Sequence, residues 1–98
     1  MRKPPAVDPN RCTGRTTRQM QGAPYGAVFV SAHPGCVRHD RDLAAFHGRR
    51  DLTVVAPDWL TSRRWQGMTF TGIVIDHAAD LSMKELTLLQ HALVRVRT

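Results

Sequence analysis

The sequence contains little cysteine and no long apolar run. Its two cysteines, Cys12 and Cys36, are too few for a disulfide framework, which predicts reduced thiols and a cytoplasmic protein. No stretch approaches the roughly 18 apolar residues of a membrane span, and no apolar segment of a signal peptide follows the basic N-terminus. With 98 residues, the chain is expected to form one soluble domain without internal repeats.

Acidic side chains are also scarce. Eight aspartate and glutamate residues stand against 14 lysine and arginine residues, which gives a net charge of +6, and 12 of the 14 are arginine. Arginine forms bidentate pairs with phosphate and carboxylate groups better than lysine does. The composition therefore predicts an acidic partner (a nucleotide, nucleic acid or an acidic protein surface), with a simply solvated basic surface as the alternative.

Residues 1–12 are the part of the chain least suited to regular structure. They contain Pro4, Pro5 and Pro9 and few apolar side chains. Because proline lacks the backbone N–H and fixes φ, we expect an extended arm here and not a central strand. Residues 13–98 are expected to form a single α/β domain.

Strand-like and helix-like patterns alternate along that domain. The strand-like runs are nearly continuous in apolar and β-branched residues, as in strands buried on both faces of a parallel sheet. The predicted strands are residues 27–31, 52–56 and 68–76. The predicted helices are residues 13–21, 38–47, 58–65 and 82–96. Asp58 is expected to cap the third helix, and a capping box of Ser82 and Glu85 is expected to open the fourth. The apolar stripe predicted for the fourth helix is Met83, Leu86, Leu89, Ala92, Leu93 and Val96. This order predicts a small P-loop-like or Rossmann-like α/β fold, with about three mainly parallel strands flanked by helices.

The start of the first predicted helix is the leading candidate site. A helix N-terminus offers unpaired N–H groups and the positive end of the helix dipole. Here a cation and two hydroxyls are added to that start, which predicts a phosphate-binding site. Its residues are Gly14, Arg15, Thr16 and Thr17.

Asp76 is the second candidate, because it ends the third predicted strand. Ligands of parallel sheets bind beyond the carboxyl ends of the strands. A carboxylate in that position, together with the hydroxyl of Thr16, is suited to holding a hydrated magnesium ion. The alternative is a loop acid that caps a turn or pairs with a nearby arginine.

Two of these segments resemble the motifs of P-loop NTPases. Residues 14–17 resemble the second half of the Walker A motif, and residues 70–77 resemble a Walker B strand. Residues 63–67 are similar to a segment of helicase-like members. The pattern is similar to that of small phage- or prophage-encoded P-loop proteins with a Gly-Arg-Thr-Thr-Arg box. This resemblance implies binding of ATP or GTP with magnesium through the candidate residues named above.

Departures from the P-loop pattern favour binding over hydrolysis. Pro9 stands where the first Walker A glycine belongs, and Arg15 replaces the lysine. His77 follows Asp76, where many family members have a glutamate that orients the attacking water. Residues 1–8 are also unsuited to forming the strand that precedes a P-loop. We therefore expect a degenerate or truncated P-loop domain with a binding or regulatory role.

A second class of function is a non-enzymatic accessory protein that binds nucleic acid or an acidic protein surface. An inhibitor of a host defence system, such as an anti-CRISPR protein, is one example. Arginines near aromatic side chains suit such contacts, since aromatic rings stack on bases, although tryptophans pack more often against a core. The candidate partner-binding residues are Arg49, Arg50, Arg63, Arg64 and Trp65.

A third class is a zinc or thiol enzyme. His33, Cys36 and His39 have the spacing H-x2-C-x2-H, and imidazole and thiolate are zinc ligands. Cys36 with one of these histidines is also a possible nucleophile and base. The spacing is not that of a known structural zinc site and no orienting group is evident, so this is the weakest of the three hypotheses.

Overall fold

The computed structural model describes residues 14–96, and the predicted arm at residues 1–12 lies outside them. The helices are α1 (Gly14–Gly22), α2 (Val37–Phe46), α3 (Asp58–Thr61) and α4 (Met83–Leu93). The strands are β1 (Val28–Val30), β2 (Thr53–Val55) and β3 (Ile73–Ile75). Short 3₁₀ helices cover Pro34–Cys36 and Arg64–Gly67. The alternating order predicted from the sequence is confirmed.

The three strands form one parallel sheet in the order β2-β1-β3. Phe29 at the centre of β1 is in register with Val54 of β2 on one side and with Val74 of β3 on the other. The carboxyl ends of all three strands therefore lie at one edge of the sheet. In such sheets ligands bind where consecutive connections diverge, and this switch point lies between β1 and β3.

The alternation of side chains along β1 divides the core into two layers. Val28 and Val30 belong to a cluster with Trp59 of α3 and Leu88 of α4. Phe29 points to the other face and belongs to the cluster formed with α1 and α2. All three β1 residues are fully buried, as expected of a central parallel strand with helices on both faces.

The beginnings of two helices differ in how well they were predicted. The capping box of α4 is confirmed, because Ser82 Oγ accepts from the Glu85 N–H at 3.1 Å and the Ser82 N–H donates to Glu85 Oε1 at 2.7 Å. The expectation that Asp58 caps α3 is wrong, since Pro57 holds the N-cap position and no side chain caps it. Within residues 14–96, no helix combines the length and apolar character that crossing a bilayer requires.

The apolar stripe predicted for α4 is only partly correct. The helix ends at Leu93, and its buried side chains are Leu88 and Ala92. Met83 and Leu86 of the predicted stripe are 78% and 42% exposed. Periodicity gives the angular position of a side chain on a helix, but it does not give the neighbours that are present to cover it.

Candidate phosphate and metal site

The predicted hydroxyl and carboxylate lie next to each other at the carboxyl edge of the sheet. Thr16 Oγ1 of α1 donates to Asp76 Oδ2, which follows β3, at 3.5 Å. Both residues are buried, with 3% and 1% of their surface exposed. The helix start and the strand end are 60 residues apart in sequence and meet in the fold.

The other oxygen of Asp76 is held by the turn that follows β3. Asp76 Oδ1 accepts from the Ala78 N–H at 3.0 Å and lies 3.2 Å from His77 Nδ1. Nδ1 also lies 3.2 Å from Gln19 Oε1. Because both neighbours are acceptors, Nδ1 is the ring nitrogen that donates to them. Nε2 is buried and has no hydrogen-bond partner within the described part of the chain.

Gln19 fixes the position of α1 relative to β3. Its Nε2 donates to the carbonyl of Ile75 at 2.7 Å, and its Oε1 accepts from the His77 N–H at 2.9 Å. Gln19 follows Arg15 by one helical turn, so both side chains lie on the same side of α1. Sequence reasoning did not single out Gln19, because nothing local to a glutamine in a helix indicates that its amide will reach a strand.

The remaining candidate phosphate residues lie around the start of α1. Gly14 is its first residue, Arg15 is exposed and Thr17 is half-buried. The first turn of α1 contains no acidic side chain. An anion approaching this helix start would therefore meet N–H groups, a guanidinium and hydroxyls, without a competing carboxylate in that turn.

The oxygen donors at this edge fit a magnesium ion better than a zinc ion. A threonine hydroxyl and an aspartate carboxylate are hard oxygen ligands of the type that magnesium uses. No three histidine, cysteine, aspartate or glutamate side chains assemble into a metal-binding group among residues 14–96. A magnesium ion would complete its shell with water and ligand phosphate, as it does in many proteins.

The described residues do not form the predicted zinc site at His33, Cys36 and His39. Cys36 is 5% exposed, and its Sγ lies 3.2 Å from His33 Nε2. His33 Nδ1 accepts from the Gly35 N–H at 3.2 Å, so Nε2 carries the proton and the sulfur is the acceptor. In this arrangement the imidazole donates a hydrogen bond to the sulfur and does not act as a base for the thiol.

The candidate partner-binding residues fall into two groups. Arg50, Arg63 and Arg64 are exposed. Trp65 is 4% exposed, and its Nε1 donates to the Leu60 carbonyl at 3.0 Å, so its ring is part of the core. Arg49 is also engaged within the fold, and its contacts hold the far end of α1.

Arg49 joins the end of α1 to the loop before β2. Its guanidinium donates to the carbonyls of Met20, Gln21, Ala23 and Pro24. The same group forms a bidentate pair with Asp51, with both N–O distances at 3.0 Å. Asp51 also accepts from the N–H of Gly26, whose φ of +84° favours glycine. A cation thus satisfies the carbonyls at the negative end of the α1 dipole.

Asp51 makes the stability of the fold depend on pH. The hydrogen bonds from Arg49 lower the pKa of the Asp51 carboxyl from 3.8 to about 2. Since its pKa is lower in the folded state, the carboxylate stabilises the fold above pH 4, and this contribution is lost as the pH falls towards 2. We expect Asp51→Asn to remove a pH-dependent contribution of about 2 kcal/mol, as measured by urea unfolding between pH 2 and pH 6. A parallel pH dependence in the variant and the wild type would contradict this assignment.

The fold and this edge define a class: a small α/β protein with helices on both faces of a three-stranded parallel sheet. A helix start and a buried strand-end carboxylate meet at the carboxyl edge of this sheet. No family model matches the chain, and no curated protein or solved structure matches it either.

Proposed function

We propose that the protein binds a phosphate-bearing ligand, namely ATP or GTP with magnesium, at the start of α1 and the end of β3. Arg15 and the N–H groups of the helix start bind phosphate oxygens. Thr16 and Asp76 are the protein ligands of the magnesium ion, whose chemistry is to neutralise phosphate charge. The proposed role is binding or regulation, without hydrolysis of the nucleotide.

The observation that carries this proposal is the contact between Thr16 Oγ1 and Asp76 Oδ2 at 3.5 Å. The Asp76 carboxylate is buried, and contacts with Thr16, Ala78 and His77 hold both of its oxygens in place. This carboxylate lies at the edge of a parallel sheet where ligands bind, beside a helix start with a cation in its first turn. These three features support an anion accompanied by a metal ion better than they support an uncharged ligand.

The residue after Asp76 supports binding without hydrolysis. The imidazole of His77 is oriented by Asp76 Oδ1 and Gln19 Oε1 at 3.2 Å each. Its Nε2 is buried, so it is not exposed to an attacking water. Hydrolysis requires a group that orients water next to the γ-phosphate.

The proposal predicts that nucleotide with magnesium raises the melting temperature of the protein. At a tenfold excess of nucleotide over its Kd, stabilisation is about 1.4 kcal/mol, which is roughly 5–10 °C for a domain of this size. Arg15→Ala and Asp76→Asn are expected to abolish the shift. Differential scanning fluorimetry with ATP and GTP, with and without magnesium, makes the measurement.

Arg18→Ala is the matched control, because Arg18 is an exposed arginine of the same helix. Arg18→Ala should keep the nucleotide-induced rise in melting temperature if the position of Arg15 is what matters. If only the net charge of α1 matters, Arg18→Ala should lose the rise as Arg15→Ala does. Melting curves that do not change at millimolar ATP or GTP with magnesium would refute the proposal. Phosphate release in the same samples would refute the non-hydrolytic role alone.

A further inference from the structure

The outer edge of β3 carries backbone groups that point away from the sheet. The Val28 N–H donates to the Gly72 carbonyl, and the Asp76 N–H donates to the Val30 carbonyl, both at 2.9 Å. Alternate residues of a parallel strand bond to the same neighbour. The N–H and C=O groups of Ile73 and Ile75 are therefore directed to the edge opposite β1.

At the carboxyl end of this edge, Gln19 occupies the place of a strand residue. In a parallel pair, the residue that lies opposite residue i of the neighbouring strand donates to the carbonyl of residue i−1 and accepts from the N–H of residue i+1. The Gln19 amide makes these two bonds, to the Ile75 carbonyl at 2.7 Å and to the His77 N–H at 2.9 Å. A side chain thus forms there the hydrogen bonds of a fourth parallel strand.

A second segment runs parallel to the chain just before the amino end of β3. Val96, just after α4, forms an isolated parallel bridge with Phe70. Its direction is that of β3. Between these two ends, around Ile73, no strand of the described residues lies beside β3.

The side chains of β3 are consistent with a missing neighbour. Ile73 and Ile75 belong to the layer of α3 and α4, and Val74 belongs to the layer of α1 and α2. All three are only half-buried, whereas the equally apolar residues of β1 are fully buried. Exposed large apolar side chains also concentrate on α4 and its end, at Met83, Leu86, Leu93 and Val94. An added strand would bury apolar surface on the edge of β3.

The two edges of the sheet differ in how they are protected. The outward carbonyl of Val54 on β2 lies 3.5 Å from the guanidinium of Arg41, which crosses that edge. A charged side chain of this kind is a common protection against strand addition. Within the described part of the chain, the Gln19 amide lies at the carboxyl end of β3 and Val96 lies beside the segment before it, and neither side chain is charged.

We propose that the outer edge of β3 is a strand-acceptor site, filled by an extended segment of a partner protein that runs parallel to β3. Arg15 lies one helical turn from Gln19, and Arg95, whose guanidinium donates to the Gln66 carbonyl, directly precedes Val96. Cations at both ends select a segment with acidic flanks and alternating apolar residues. Backbone hydrogen bonds supply the affinity in such strand addition, and side-chain pockets supply specificity.

Two other occupants are less consistent with these observations. The arm at residues 1–12 contains three prolines, which disfavour a strand there. A second copy related by a two-fold axis would pair β3 with β3 in antiparallel orientation, whereas the contacts of Gln19 with the end of β3 have the parallel pattern. This inference does not depend on nucleotide binding.

Amide hydrogen exchange resolved by residue tests the proposal on the whole chain. Without a peptide, the amides of Ile73 and Ile75 should exchange at least about tenfold faster than those of Val74 and Asp76, which bond to β1. The probe is a synthetic peptide of alternating valine and threonine with glutamates at both ends. Excess peptide should slow the Ile73 and Ile75 amides at least about tenfold and leave the exposed edge of β2 unchanged.

The matched control is the same peptide with N-methyl groups on the residues that would face β3, which removes its hydrogen-bond donors without changing its charge. Loss of protection with this peptide supports strand addition. Equal protection by both peptides, or protection by neither, overturns the proposal. Slow exchange of the Ile73 and Ile75 amides in the free protein also overturns the proposal. If their protection does not depend on protein concentration, the chain's own arm covers the edge. If their protection increases with protein concentration, a second copy covers it.

Discussion

Replacing Arg49 with methionine is expected to lower the free energy of unfolding by about 2–4 kcal/mol, because it removes one partner of a part-buried ion pair. The Asp51 side chain is 5% exposed and would lose its bidentate partner. Carbonyls at the end of α1 would lose their donor as well. The physical cost is an uncompensated carboxylate together with unsatisfied carbonyls at the negative end of a helix dipole.

Urea unfolding followed by tryptophan fluorescence measures this change. The neighbouring exposed arginine provides the control, and Arg50→Met should change the unfolding free energy by no more than about 0.5 kcal/mol. The double variant Arg49→Met with Asp51→Asn should be more stable than Arg49→Met alone, because the orphaned charge is gone. If Arg49→Met and Arg50→Met have equal effects, Arg49 is a surface cation and its contacts do not hold α1.

Replacing Trp59 with alanine is expected to cost about 3–5 kcal/mol, as typical for a large buried aromatic side chain. Trp59 is 2% exposed and meets Phe70 edge to face, with ring centroids 5.7 Å apart. Its Nε1 also donates to the Met68 sulfur at 3.2 Å. The ring therefore joins α3 to the segment that leads into β3, and its removal leaves a cavity between them.

Tyr25→Ala is the aromatic control for that experiment, since Tyr25 is 81% exposed. It should change the unfolding free energy by no more than about 0.5 kcal/mol. Trp59→Phe retains much of the volume and should cost less than Trp59→Ala. A loss below about 1 kcal/mol for Trp59→Ala would contradict the assignment of this ring to the core.

Much of the fold was predictable because it depends on short-range patterns. The apolar runs around Phe29 and Val54 have the composition of buried parallel strands, and the structure places both in one parallel sheet. The pairing of Ser82 with Glu85 three residues later correctly predicted the start of α4. These signals are local, so a single sequence contains them.

The candidate site was predictable only in its parts. The sequence indicated a hydroxyl at Thr16 and a carboxylate at Asp76, because each follows a recognisable helix start or strand end. The contact of Asp40 with Ser31 Oγ at 2.7 Å was not predicted, since an aspartate in the first turn of α2 has the same pattern whether it is buried or exposed. Trp65, a candidate partner-binding residue in the sequence analysis, is buried, and its neighbours in sequence do not indicate this burial.

The sequence by itself determined the order and type of the elements, because periodicity, turns and caps depend on neighbours a few residues away. Only the tertiary structure decided which polar groups meet across the chain. Arg49 holds the end of α1, and Gln19 takes the place of a strand residue on the outer edge of β3. Such contacts depend on how elements more than 20 residues apart in sequence pack against each other. The residue types involved do not specify that packing. The open edge of β3 is a consequence of this assembly, because an edge exists only once the order of the strands is set.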